Sequence, residues 1–135
     1  MKKSILLLLT AILFVYPSCK KEITDCTDPQ AENYNSEATI DCCCIYTVRY
    51  LVWGSSGDYN VTYQNSNGGT SQQSNVPSDW TYSFTATPGD FVYLSAQNNN
   101  NTGSVSVTIY QGPFVFETST NTGAFVIATA TGTLN

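Results

Sequence analysis

The 135-residue chain has no histidine, a single methionine and charge on only 11% of its residues, 5 basic against 10 acidic side chains. Each scarcity closes off chemistry. Without histidine there is no imidazole metal site, no Ser-His-Asp or Cys-His nucleophile and no imidazole pH switch. The cations are Lys2, Lys3, Lys20, Lys21 and Arg49. So few, so placed, they cannot form the clustered basic surface that displaces counterions from nucleic acid. No cysteine follows Cys44, so any disulfide belongs to the first third of the chain. What is abundant is Ser, Thr, Asn and Gln, which carry the solvation of everything beyond Cys44.

Targeting comes first, because it removes residues from the fold. Lys2-Lys3 followed by the apolar stretch from Ile5 to Tyr16 has the layout of a secretory signal and is too short for a stop-transfer helix. Tyr16-Pro17-Ser18-Cys19 sets a small residue just ahead of a cysteine, as a loose bacterial lipobox does. Residues 1–18 are therefore expected to be removed, leaving Cys19 as a lipidated N-terminus. Tyr16 and Ser18 depart from the stringent pattern in the manner of Bacteroidota-type lipoproteins, and the plain alternative is a secreted protein cleaved nearby. Lys20-Lys21-Glu22 resembles the short charged export signal of surface lipoproteins in that group. Maturation leaves three cations and ten acids, 3 − 10 = −7. Such a body does not adhere to anionic lipid. Its membrane partner would be reached through acyl chains on Cys19, at the outer membrane, facing the periplasm or the cell surface.

Residues 19–44 are expected to form a stalk with a cysteine module. Cys26, Cys42, Cys43 and Cys44 are an even number for an oxidising compartment and allow three pairings, each joining Cys26 to one member of the triplet. Vicinal bridges violate the usual α-carbon separation, so Cys26 is expected to close the loop and the second bridge stays open. Closing about 17 residues contributes on the order of 3 kcal/mol in the chain-entropy model. A zinc or iron site is the other use of four thiols, but three consecutive cysteines converge poorly on one ion. Cys26-Thr27-Asp28-Pro29, Ala31, Asn33-Tyr34-Asn35, Ala38-Thr39 and Asp41 resemble a short secreted repeat, CTDP-x-A-x-NY. Its usual Asp-Gly-Ser-Cys ending is replaced here by the cysteine triplet. Asp28, Asn33, Asn35 and Asp41 are oxygen donors of the kind calcium takes, although Asx turns that fold a small loop account for them more simply.

Residues 45–135 carry the period of β-strands. Tyr46, Val48, Tyr50 and Val52 alternate with Ile45, Thr47, Arg49 and Leu51, and similar runs recur between turn signals about every 8–12 residues with no amphipathic helical window. The fold expected is all-β: one immunoglobulin-like antiparallel sandwich of about 7–8 short strands. Thr70 to Asn75 reads as a polar edge strand, and Asn98 to Asn101 as a flexible hairpin tip.

Tyr46-Thr47-Val48-Arg49-Tyr50, Val61-Thr62-Tyr63, Gln72-Gln73 with Asn75-Val76-Pro77 and Trp80, Gly89 with Phe91-Val92 and Ser95-Ala96-Gln97, Gly103-Ser104-Val105, and Thr122 to Phe125 with Ala128-Thr129 stand in one order. That order and spacing resemble the MmpS family (mycobacterial membrane protein small) over residues 46–132. These are small proteins that accompany RND-type exporters. The resemblance implies an immunoglobulin-like soluble domain and a role beside an envelope transport assembly. It departs in replacing a transmembrane helix by a lipidated N-terminus, and in placing Val107 and Ala130 where many members carry cysteines. That substitution implies that the two side chains lie close together. Parity raises a difficulty, since Val126, Ala128 and Ala130 share one strand face and Phe125 and Ile127 the other.

Site chemistry is sparse. Asp58, Asp79, Asp90 and Glu117 are the only acids beyond the stalk, and all but Glu117 stand in turn-like sequence. Turn chemistry explains them better than a carboxylate pair. No enzyme activity and no cofactor are expected. Trp53, Trp80, Tyr59 and Tyr110 are the candidates for an aromatic ligand platform, against the commoner use of such residues in cores and cross-strand pairs. The expected function is a non-catalytic, lipid-anchored accessory of an envelope transport assembly. The alternatives are a surface module for a neutral glycan or other ligand, in the manner of an adhesin, and a structural coat lipoprotein. If Cys19 carries the anchor, Cys19→Ala should move the protein from the membrane fraction to the soluble fraction; a variant still recovered wholly with membranes would refute lipidation there.

Overall fold

Alternation decides the layering. A strand turns successive side chains to opposite faces, and in the computed structural model, which describes residues 21–135, that period separates core from surface. β3 (Tyr46–Gly54) buries Tyr46, Val48, Tyr50 and Val52, and β4 (Asp58–Gln64) buries Tyr59, Val61 and Tyr63. β7 (Phe91–Asn98) turns Val92, Leu94 and Ala96 inward, and β8 (Ser104–Gln111) does so with Val105, Val107 and Ile109. β5 (Thr70–Pro77), β6 (Trp80–Ala86), β9 (Phe114–Thr122) and β10 (Ile127–Thr133) complete the domain. Two short strands, β1 (Thr24–Asp25) and β2 (Ile40–Asp41), pair in parallel within the cysteine module. The leader and the Cys19 assignment lie outside the described residues. Among the described residues no helix is long and apolar enough to cross a membrane.

The eight longer strands form two four-stranded antiparallel sheets, β10-β7-β4-β5 and β6-β3-β8-β9. This is an all-β, immunoglobulin-like sandwich, four strands on four. Only β4–β5 and β8–β9 are joined as hairpins; every other link crosses between sheets. The segment Asn98 to Asn101 is one of those crossovers, and the expectation of a flexible hairpin tip is corrected. Asn98 is fully buried and donates from Nδ2 to the carbonyls of Thr102 and Gly123, both at 2.9 Å. Its Oδ1 accepts the Asn100 N–H at 2.8 Å, and Asn100 Nδ2 reaches the Ser56 carbonyl. The polar run closes a corner whose backbone groups would otherwise be buried unpaired.

One core fills the sandwich, and each large apolar side chain that it buries contributes about 1.5–3 kcal/mol. Tyr50 packs against Tyr63, Tyr82 and Phe84 with ring centroids 5.4–6.3 Å apart. The parity difficulty on β10 resolves without covering both faces: Ala128 and Ala130 point inward, while Phe125 and Ile127 are exposed. Val107 and Ala130 both belong to this core, on contacting strands of opposite sheets. The small inner face of β10 makes room for Phe116, the extra residue of a bulge in β9 where the register slips between Ile109 and Tyr110 of β8. A methyl on Gly132 would lie 2.7 Å from the Phe116 ring. Gly132→Ala should therefore lower the denaturant midpoint by the equivalent of about 1–3 kcal/mol, and adding Phe116→Leu should recover part of that loss.

Candidate functional site

The cysteine module is built first by its side-chain oxygens. Asp28 Oδ1 accepts the Gln30 N–H, Asn35 Oδ1 accepts the Glu37 N–H, and Asp41 Oδ1 accepts both the amide and the hydroxyl of Thr27. Asn33 ties the triplet to the residue just ahead of β3, donating to the Cys43 carbonyl and accepting from the Ile45 N–H at 2.8 Å each. The four residues considered for calcium thus hold the loop together as turn-forming acceptors. Hydrogen bonds from Asn35 and the Cys26 amide hold the Asp25 carboxyl below the usual range, and those from Thr27 do the same for Asp41.

Cys26 pairs with Cys44 across a Cα separation of 4.8 Å, and Cys42 pairs with its neighbour Cys43. The bridge left open by the sequence is thus the vicinal one. Cys43 adopts a left-handed backbone, with φ at 59°. Cys26, Asp41 and Cys44 converge closely enough to resemble a metal cluster, but the two sulfurs are bonded to each other and offer no thiolate. The module is docked on the sandwich. Tyr46 of β3 shares a small cluster with Cys26, Ala31 and Cys44, and its hydroxyl donates to Asp28 Oδ2 at 2.6 Å. Thr47 donates to Glu32 beside it.

The four platform aromatics do not come together. Tyr59 is fully buried, and its candidacy for a ligand platform is corrected: its hydroxyl accepts from the Ser56 N–H and donates to the Ser104 carbonyl, tying the first crossover to β8. Trp80 faces inward at the rim, its ring centroid 5.2 Å from that of Tyr63 and its indole N–H donating to Gln73 at 2.9 Å. Trp53 lies on the outer face of β3, 48% exposed and opposite Ser106. Tyr110 lies on the same outer face, its ring covered by the Arg49 guanidinium at 4.0 Å. Among the carboxylates, Asp90 closes a turn by accepting the Thr87 amide and hydroxyl.

The arrangement that sequence reasoning missed is the outer face of the β10-β7-β4-β5 sheet. Register aligns Thr129 with Ser95, Ser95 with Thr62 and Thr62 with Gln72, one polar row across all four strands. The Ser95 and Thr129 hydroxyls are 3.0 Å apart, and Gln72 donates to Thr62 at 3.3 Å. On one side of the row a groove of about 300 Å³ is lined by Asn60, Gln97 and Ile127 among others. On the other, a groove of about 470 Å³ runs between Thr62, Thr70, Phe91 and Tyr93. Neither has a charged lining residue. Parity was the available signal: if Val92, Leu94 and Ala96 point in, then Phe91, Tyr93, Ser95 and Gln97 must point out.

No protein-family model matches the chain, and no curated protein is found similar to it.

The module's dock makes a pH test. The hydrogen bond to Asp28 first, and then burial, push the Tyr46 hydroxyl up from 10.0 to about 12. Burial does the same for Tyr50. A folded state that retains its phenol protons is fully stabilised by them below pH 10 and loses that stabilisation as pH rises from 10 through 12. The thermal midpoint should therefore fall across that window. Tyr46→Phe should be less stable at pH 7 yet show a shallower alkaline decline, with the Tyr50 contribution remaining.

Proposed function

We propose that the protein is a non-catalytic, lipid-anchored accessory of a cell-envelope assembly, contacting its partner polypeptide by strand pairing along β5. The observation that carries this reading is the open edge of that strand. β5 bonds to β4 on one side only and is solvent-exposed along nearly its whole length. Sheet edges are ordinarily guarded by charge, proline or bulges. Thr70 to Ser74 carries no charge and no proline, and the guard stands at the far end, where a bulge opposite Asn60, the left-handed Asn75 and Pro77 end the flat stretch. A bare run of this length suits β-augmentation, in which main-chain hydrogen bonds supply the affinity and alternate side chains the selectivity.

The resemblance of residues 46–132 to the MmpS family supports an envelope transport complex of the RND type as the setting, and the sequence around Cys19 supports a membrane tether. With a net charge of −7 after maturation (3 − 10), long-range attraction would draw the protein to neither anionic lipid nor polyanions, which leaves short-range pairing to define the partner. A photoreactive side chain placed at Ser71 or Ser74 and activated in intact cells should yield one discrete heteromeric adduct, absent when the probe sits at Ser83 on β6. Capture of lipid alone, or of nothing, would overturn the reading.

A further inference from the structure

We infer that the outer face of the β10-β7-β4-β5 sheet is a binding site for a neutral polysaccharide. This goes beyond the strand-pairing role, because it uses the face of the sheet and not its edge. Three observations converge there. The first is chemical. The row Thr129, Ser95, Thr62 and Gln72 lays hydroxyls and one amide across four strands, pre-oriented by hydrogen bonds of 3.0 and 3.3 Å at its two ends. A hydroxyl has one donor and two acceptor positions, and an amide two of each. Each bond within the row leaves further donors and acceptors directed to solvent, the complement of sugar hydroxyls.

The second observation is apolar. Phe91 is 52% exposed and Tyr93 is half-buried beside it on the same strand face. Nothing in the core requires an exposed phenylalanine at this position. The flat ring faces match the C–H faces of pyranose rings, as polar groups along the row match their rims. The third observation is shape. The two grooves meet at Thr62 on either side of the row; the first crosses all four strands, from Gln72 to Ile127, and the second carries Phe91 and Tyr93 over β7, β4 and β5. Three inter-strand spacings give the first groove a length of about 14 Å across the strands, room for a short run of sugar units.

Charge selects among polymers. Neither groove has a charged lining residue, and the only cation of the sandwich, Arg49, stacks on Tyr110 in the opposite sheet. A uronate or phosphate would find no counter-charge here and a net-negative body around it. A second copy of the chain fits the face poorly, because the cores of stable protein interfaces are apolar and this one is crossed by a polar row.

Native affinity electrophoresis of the mature chain tests the site, with mixed-linkage β-glucan, xylan and galactomannan cast separately in the gel and alginate as the acidic comparison. At least one neutral polymer should retard migration and alginate should not. Tyr93→Ala should weaken retardation roughly tenfold or more, the loss expected on truncating an aromatic anchor. Thr62→Lys, on an exposed-side position, should abolish it with the thermal midpoint retained, and Trp53→Ala should leave it intact. Free migration in all three neutral polymers, retardation by alginate alone, or full retardation of Tyr93→Ala and Thr62→Lys would each overturn the inference. Adduct formation through β5 in cells is independent of these outcomes.

Discussion

A chain that crosses between its sheets at most of its connections must find partners for the backbone groups at each corner, and here it must do so almost without charge. Buried N–H and C=O groups that go unpaired cost as much as the bonds they lose. Amide and hydroxyl side chains meet that demand. Asn98 closes the corner between β7 and β8 from inside the core. Ser78 bonds both the amide and the carbonyl of Gly54, fastening the β5–β6 corner to the end of β3. Asn65 gathers the β4–β5 turn by accepting from Asn67 and Gly69. Among the described residues no buried side-chain nitrogen or oxygen lacks a partner. The polar composition is thus structural before it is a matter of solubility.

The same economy of charge shapes the surfaces. With ion pairs scarce, cross-strand contacts on the outer faces are made by hydroxyl pairs such as Ser106 with Thr120 and Thr108 with Thr118, by the Arg49–Tyr110 stack and by the Thr129-to-Gln72 row. Such contacts are insensitive to salt, unlike exposed ion pairs. The faces that result offer short-range polar chemistry and little long-range steering. The proposed protein edge and the proposed glycan face could therefore coexist on one small sandwich without competing through electrostatics.

Most of the layering was legible in the sequence because period two is a strong signal wherever one face is buried. It fixes Tyr46 to Val52 as an inward row, and Phe91 and Tyr93 as outward by the same logic. Tyr59 shares its parity with the buried Val61 and Tyr63, so the same logic sets it inside and against a surface platform. Asn98 could not be read. A polar run between two strands looks the same whether it caps a hairpin or closes a buried corner, and only the nonlocal pairing of β8 with β3 makes it the latter. Cysteine spacing predicted that Cys26 would close a loop, but which member of the triplet it meets depends on where β3 begins. The small inner face of β10 was likewise silent, since Ala128, Ala130 and Gly132 mean little until Phe116 is seen against them.

The Cys26–Cys44 bridge has a mechanical consequence. It joins the chain arriving from the N-terminal side to a residue just ahead of β3, short-circuiting a sequence separation of 18. Were the chain held from its N-terminal side, as the proposed anchor would hold it, load would bypass the loop between them and enter β3 directly. β3 is an inner strand, bonded to β6 on one side and β8 on the other, so a pull along it shears two ladders at once instead of peeling an edge. Under such a load the module would act as a clasp. Tension from an anchor of that kind would pass into the part of the sheet best able to resist it, leaving the open edge at β5 and the polar face of the opposite sheet out of the line of strain.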